Sequence, residues 1–165
     1  MSELSIRHIE KEDLDAYYEI YKNEETLKYI PMPIWTNESK HHIFNKMLDD
    51  KAIRYSVLLK DKVIGNINFY PQDVKDTYEV GFVFNKDYVN KGYGSIAIKK
   101  AIKDVFRKEK AHRIYAYLDA RNIACKRLCE KIGLREEAHF IKDYFMDNEW
   151  TDSYIFATLK DEFIK

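Results

Sequence analysis

Two glycines separated by one residue, Gly92-Tyr93-Gly94, stand directly before a helical run in the segment NKDYVNKGYGS, residues 85–95. That spacing suits phosphate chemistry. Glycine reaches backbone angles closed to other residues and lets a ligand approach the main chain. A helix start leaves about four N–H groups without partners and carries a partial positive charge, a setting that favours a phosphate or pyrophosphate. Lys91 stands beside the turn. This is not the dinucleotide fingerprint, since Ala97 occupies the place of the third glycine, and no Gly-Lys-Ser/Thr follows to make a Walker A loop. Taken alone, the glycines fit a tight strand-to-helix connection without a ligand equally well.

Other reactive side chains set bounds. Cys125 and Cys129 are the two cysteines of the chain, too few for a disulfide framework or a four-thiolate zinc site, and a reducing, cytoplasmic compartment is expected. His41 and His42 are adjacent, while His8, His112 and His139 are scattered with no metal-ligand spacing, so no metal is expected. Basic and acidic side chains number 28 each, which removes the simplest ground for nucleic-acid binding. The charge is unevenly spread: residues 99–113 hold seven basic against two acidic side chains, and residues 1–25 hold eight acidic against three basic. One face could thus meet phosphates and another a cationic substrate, although solvated helix faces account for the same residues. No stretch approaches the roughly 20 apolar residues needed to span a bilayer, and the start MSELSIRHIEKEDL has no secretory hydrophobic region.

The elements that position the glycine turn follow from periodicity. Leu4 to Ile9 reads as a strand, and a helix beginning at Glu12-Asp13 carries Leu14, Tyr17, Tyr18 and Tyr21 at spacings of three and four. Pro31 and Pro33 interrupt the chain, and a second helical pattern runs from Thr36 through Ile43, Phe44, Met47 and Leu48. Tyr55–Leu59, Val63–Tyr70 and Thr77–Asn85 alternate as strands of an antiparallel meander. After Ser95 comes a long helix with the apolar stripe Ile98, Ala101, Ile102, Val105 and Phe106. A strand over His112–Leu118, a helix over Asn122–Ile132 ended by Gly133, and strands over 134–145 and 150–159 complete the chain. Strand–helix–strand–helix in this setting predicts one mixed sheet with helices on its faces, in which 112–118 lies parallel to 77–84. With 165 residues, 5 Gly, 3 Pro and no linker, one domain over 1–165 is expected.

Three segments in order, YEVGFVFNKDYVNKGYGSIAIKKAIKDVF, NIACKRLCEKIGLREEAHF and FMDNEWTDSYIF, make this chain resemble the GNAT superfamily of acyl-CoA N-acyltransferases. It looks most like the branch related to the ribosomal-protein N-terminal (alanine/serine) acetyltransferases. The resemblance implies an α/β fold with a twisted, mixed sheet of six or seven strands, helices on both faces, and a central strand pair splayed between 77–84 and 112–118. Acetyl-CoA would lie in that opening. By position, the main chain of Phe82 and Val83 would bond its pantetheine arm, the N–H groups of Lys91, Gly92, Tyr93, Gly94 and Ser95 its pyrophosphate, and Asn122 the pantetheine or the lining of the thioester end. The departures are Val89 at the first place of the pyrophosphate loop, Ser95-Ile96-Ala97 for Thr-Glu-Ala, Cys125 for the serine of Asn-x-x-Ser, and Cys129 where many relatives have a tyrosine that protonates the departing thiolate.

The activity implied is direct transfer of acetyl from acetyl-CoA to a primary amine, with a peptide or protein N-terminal amine favoured over a polyamine, aminoglycoside or amino acid. A non-catalytic acyl-CoA-binding protein is the alternative from another class. Such a reaction needs a base for the amine, an N–H donor for the carbonyl oxygen, and a route for a proton to the sulfur. Glu79, three residues before Phe82, is the expected base; holding a cation or facing solvent would suit it too. Cys125 is the expected proton donor, or a buried filler, and without a base partner a covalent cysteine nucleophile is not expected. Tyr29, Met32 and Trp35, with Glu24, Glu25 and Glu38 nearby, and Tyr144 at the last hairpin are the expected acceptor wall. The chain is expected to act as a monomer or homodimer, with neither nucleic acid nor membrane as partner.

Overall fold

A computed structural model describes residues 3–165. Seven strands form one sheet in the order β1-β2-β3-β4-β5-β7-β6, built from β1 Leu4–His8, β2 Ile53–Leu59, β3 Lys62–Pro71, β4 Thr77–Phe84, β5 Arg113–Asp119, β6 Arg135–Met146 and β7 Glu149–Leu159. Helices α1 Leu14–Tyr21 and α2 Lys40–Asp49 cover one face; α3 Tyr93–Lys108 and α4 Ile123–Ile132 cover the other; the short α5 Lys160–Phe163 follows β7. Neighbouring strands are antiparallel except β4 and β5, whose connection through α3 brings them parallel.

Each helix buries the stripe its sequence period marks. Ala97, Ile98, Ala101, Ile102, Val105 and Phe106 of α3 pack on Tyr55, Val57, Ile64, Ile67, Phe69, Val80, Ile114 and Ala116. On the opposite face Tyr17, Ile20 and Tyr21 of α1 join Leu27, Trp35 and Phe44 against Leu58, Val63 and Val83. That second layer also buries polar groups in pairs. Tyr21 Oη donates to Asn66 Oδ1 at 2.9 Å, Tyr17 Oη and Ser56 Oγ share a 2.9 Å bond, and Asn66 Nδ2 donates to Asn68 Oδ1 at 3.2 Å. Burial pushes both phenols up.

Element ends differ from expectation where local bonding intervenes. The second helix begins at Lys40 rather than Thr36, because Thr36 N donates to Ser39 Oγ at 2.9 Å and Ser39 N to Thr36 Oγ1 at 3.1 Å, closing a separate turn first. The long helix begins two residues before Ser95, at Tyr93, because Gly92 at φ 85° serves as its N-cap. In β6 the pairing with β7 slips between Phe140 and Tyr144, where Lys142 takes φ 47° and Asp152 Oδ1 accepts its N–H at 2.9 Å.

Gly65 in β3 lies under the ring of Phe84. A Cβ there would stand 2.4 Å from Phe84 Cδ1 and 2.9 Å from the carbonyl oxygen of Val83. A backbone oxygen in a paired strand cannot withdraw, so Gly65→Ala is expected to cost about 1–3 kcal/mol. At this chain length that lowers Tm by roughly 2–10 °C in a thermal melt; an unchanged Tm would show that the strand pair yields freely.

Candidate active site

The sheet opens where β4 leaves β5. Parallel pairing covers Thr77↔Arg113, Tyr78↔Ile114 and Glu79↔Tyr115 and stops there. Beyond Glu79, β4 stays on β3 as far as Phe84 while β5 stays on β7 as far as Asp119, so the two half-sheets diverge. From Val80 onward β4 has, among the described residues, no strand on its β5 side, which leaves main-chain groups along that edge for another extended chain to meet. The expected splay is therefore present between the expected strands.

A cavity of about 400 Å³ fills the opening. It is bordered by Glu79, Val80, Gly81, Phe82 and Val83 of β4, by Ala116 to Asp119 of β5, and by Asn122 and Cys125 of α4. On the far side it reaches Tyr21, Ile43, Met47 and the segment from Tyr29 to Met32, and Tyr144, Met146, Thr151 and Ser153 close it from the last hairpin. Glu79, Phe82, Val83, Asn122, Cys125, Tyr29 and Tyr144 thus meet around one space, although up to 115 positions separate them.

Trp35, expected in the acceptor wall, does not line this space. It is 1% exposed, stacks on Tyr21 at 4.8 Å between ring centroids and meets Phe44 edge-on, so it backs the wall without forming it. Its Nε1 is buried without a hydrogen-bond partner among the described residues. Glu24, Glu25 and Glu38 are exposed and lie outside the cavity wall.

Glu79 sits at the fork. It alternates along β4 with Val80, which packs under α3, so its carboxylate faces the α1–α2 side. Burial raises its pKa above the usual carboxylate range, and the hydrogen bond from Tyr115 Oη, at 3.4 Å from Oε2, opposes the rise. The same hydroxyl lies 3.1 Å from Gln72 Oε1, so its single proton is shared between the two acceptors. Tyr70, directly opposite Glu79 in the β3 register, carries the Arg54 guanidinium 5.2 Å above its ring. Tyr117 donates to Asp143. Tyr70 and Tyr117 are not among the residues expected from sequence; the β3–β4 hairpin register places Tyr70 opposite Glu79, whereas Tyr117 reaches the cavity from β5, two residues past Tyr115, and Arg54 is a cation in the buried run of β2.

The loop before α3 forms a second part of the site. Asn85 Oδ1 caps a short 3₁₀ turn over Lys86–Tyr88 by accepting from Asp87 N at 3.0 Å, and Asn90 at φ 59° leads to Gly92. Tyr93, Gly94 and Ser95 then open the helix, with N–H groups that have no carbonyl a turn earlier to bind. The need for positive φ falls on Gly92 and not on Gly94, where a Cβ would make ordinary contact with the Phe84 ring at 3.5 Å. Lys91 Nζ donates to Asp87 O at 2.8 Å, and the Ser95 hydroxyl donates to Gly92 O at 3.0 Å.

In α4, Asn122 Oδ1 accepts from Cys125 N at 3.1 Å and caps the helix, which sets the half-buried Cys125 in its first turn at the cavity edge. Cys129 is fully buried one turn on; its hydrogen bond to Cys125, and then burial, push its thiol up. Among the described residues no group of three or more His, Cys, Asp or Glu could hold a metal ion, and no helix is long and apolar enough to cross a membrane.

A seam in a mixed sheet, a cavity within it and a helix start beside it define the acyl-CoA transferase class of site. The family model described as an acetyltransferase (GNAT) domain matches residues 3–135. The chain belongs to this GNAT family and is an acetyl-CoA-dependent N-acetyltransferase. It is 39% identical over 161 residues to the uncharacterized N-acetyltransferase YnaD of Bacillus subtilis, covering 96% of this chain and 95% of that one. A GNAT-family acetyltransferase from Bacillus anthracis superposes with a TM-score of 0.89 at 37% identity, over 98% of each chain. The spermidine N-acetyltransferase from Vibrio cholerae, solved in complex with CoA and spermine, superposes at 0.87 with 20% identity, again over 98% of each chain.

Proposed function

We propose that this chain moves the acetyl group of acetyl-CoA directly to a primary amine held in the cavity between β4 and β5, with Glu79 as the base. The observation that carries the proposal is the setting of Glu79: a carboxylate at the point where the sheet opens, bordering the cavity, hydrogen-bonded to a phenol and, among the described residues, paired with no cation. A carboxylate held above its usual pKa takes a proton from an ammonium more readily than a free one.

Acetyl-CoA supplies an acetyl group already activated as a thioester. The unpaired edge of β4 supports Phe82 and Val83 as the main-chain partners of the pantetheine arm, and the start of α3 supports Tyr93, Gly94 and Ser95 as donors to the pyrophosphate. An N–H of the splayed strand near Phe82 is the proposed donor to the acyl oxygen as charge develops on it. The proposed source of the proton for the departing sulfur is the Cys125 thiol, which borders the cavity from the first turn of α4. Asn122 holds that turn in place.

The sequence resemblance favours a peptide or protein N-terminal amine as acceptor. A small amine is the second reading, and the Vibrio cholerae spermidine N-acetyltransferase, 23% identical over 155 residues, favours it. A thiol-release assay with acetyl-CoA and a panel of peptides, polyamines, aminoglycosides and amino acids tests the activity. Amine-dependent release is expected; saturable CoA binding with no release for any amine would leave a binding protein instead.

Gly92→Ala tests the loop. A Cβ at Gly92 meets nothing within 4 Å, so the only penalty is the positive φ, about 1–2 kcal/mol for a residue with a side chain. Relief of that strain rotates the first N–H groups of α3 away from a common target. CoA affinity by calorimetry is expected to fall about tenfold, the equivalent of 1.4 kcal/mol, while Gly94→Ala stays within about twofold because its contact with Phe84 is ordinary. Equal losses in the two variants would remove Gly92 as the organising residue.

A further inference from the structure

The charges on the cavity wall nearly cancel. Among the described residues that border the cavity, Arg54, Glu79 and Asp119 carry formal charge at neutral pH. Arg54 is 6% exposed; its Nε donates to Asp50 Oδ1 at 3.2 Å, its Nη1 to Asn68 Oδ1 at 2.9 Å, and its Nη2 pairs with Asp50. Asp119 accepts from Arg121 through Nε at 3.0 Å and Nη2 at 2.7 Å. Arg54 and Asp119 are each neutralised by a neighbour. Among the described residues Glu79 has a phenol and no cation, which leaves one formal negative charge on the wall without a partner.

The rest of the acceptor side is apolar. Ile30, Met32, Ile43 and Met47 border it, with the rings of Tyr21 and Tyr29. The aromatic faces that would attract a further cation are partly taken by the protein's own: Arg54 lies over Tyr70, and Arg121 lies 5.4 Å over Tyr29. The exposed Glu24, Glu25 and Glu38 stand outside the wall and offer nothing within it. A second ammonium brought here would lose its water with no free carboxylate to receive it among the described residues, since Asp119 is held by Arg121.

We infer that the acceptor is a primary amine bearing one positive charge on an apolar or aromatic body, with Glu79 receiving the amine and the Ile30–Met32–Ile43–Met47 wall receiving the body. This rests on the acetyl-transfer reading above. It sets a limit on the acceptor: one ammonium enters, and polyamines are selected against because the second carboxylate of the wall, Asp119, is already held by Arg121.

The test follows thiol release at saturating acetyl-CoA for 2-phenylethylamine, for a tripeptide amide beginning with methionine, and for spermidine. At least one of the first two is expected to exceed spermidine in kcat/KM by about tenfold or more, and the larger of the two distinguishes a small amine from a peptide. Equal or greater kcat/KM for spermidine overturns the inference. Calorimetric titration of the same amines into the CoA-loaded protein ranks them without turnover. Tighter binding of the apolar amines with no thiol release would support the acceptor class while sinking the acetyl-transfer reading; tighter binding of spermidine would overturn the acceptor class whatever the turnover. Met32→Glu adds a free carboxylate and is expected to raise spermidine relative to 2-phenylethylamine by about tenfold, with CoA binding retained. An unchanged ratio in that variant, with CoA still bound, counts against the wall as the selector.

Discussion

Glu79→Gln is expected to lower kcat by about 10²–10⁴-fold while the affinity for CoA stays within about twofold. The amide keeps the size of the side chain and can still meet Tyr115, so the fold and the cavity remain; what disappears is the capacity to accept a proton. The pH–rate profile of the parent enzyme carries a second signature. A base acts only when ionised, so activity falls as pH drops through the Glu79 pKa, which burial places above the roughly 4.3 of a free glutamate. Tyr115 stabilises the ionised form through its hydrogen bond, and Tyr115→Phe is expected to move that acid limb upward. Full activity in Glu79→Gln, together with an acid limb that ignores Tyr115, would assign proton removal to a different group or to water.

Asp13→Ala is expected to destabilise the protein by about 1–3 kcal/mol, because it takes the carboxylate acceptor from the buried Ser56 hydroxyl while Arg7, about a third exposed, regains water. Asp13 is 3% exposed and accepts from Arg7 Nη1 at 2.8 Å and Nη2 at 2.7 Å, from Ser56 Oγ at 2.7 Å and from Glu10 N at 3.0 Å. It therefore ties β1, the start of α1 and β2 together, and through Ser56 it reaches the Tyr17 phenol. Burial works to raise the Asp13 pKa, but the hydrogen bonds from Arg7, Ser56 and Glu10 outweigh it and hold the carboxyl below its ordinary value. The sign follows. A group with a depressed folded-state pKa contributes stability above the unfolded value, near 3.9, and loses it as pH falls through the folded one. Denaturant melts should show the parent losing this contribution in acid, while Asp13→Ala starts lower and changes less over the same range. Parallel pH profiles for the two proteins would mean that Asp13 is not what acid removes.

Both variants act at places where distant strands meet, and these are the places that were hardest to read from the chain. The alternation of TYEVGFVF was enough to mark β4 and to set Glu79 and Val80 on opposite faces. The stripe from Ile98 to Phe106 was enough to mark α3 and the layer it buries. Asn122 and Gly133 at the two ends of α4 were legible as caps because capping is a bond within a few residues. The glycine turn was legible as well, though the residue with the special backbone is Gly92 and Gly94 is ordinary. Trp35 was misplaced because an aromatic residue near a cavity and one behind its wall have the same local pattern, and only the stacking on Tyr21 separates them.

The order of elements, their faces and the glycine turn before α3 were determined by the amino-acid sequence on its own, since each depends on spacings of two to four residues or on one capping bond. The tertiary structure alone decided which distant groups surround the charges at the cavity. Asn68 reaches Arg54 across a strand pair, Tyr115 reaches Glu79 across the fork of the sheet, and Arg121 reaches Glu149 from the last hairpin. The physical reason is that a carboxylate left without a cation is a property of everything around it, and those surroundings come from chain segments that meet only when the sheet closes.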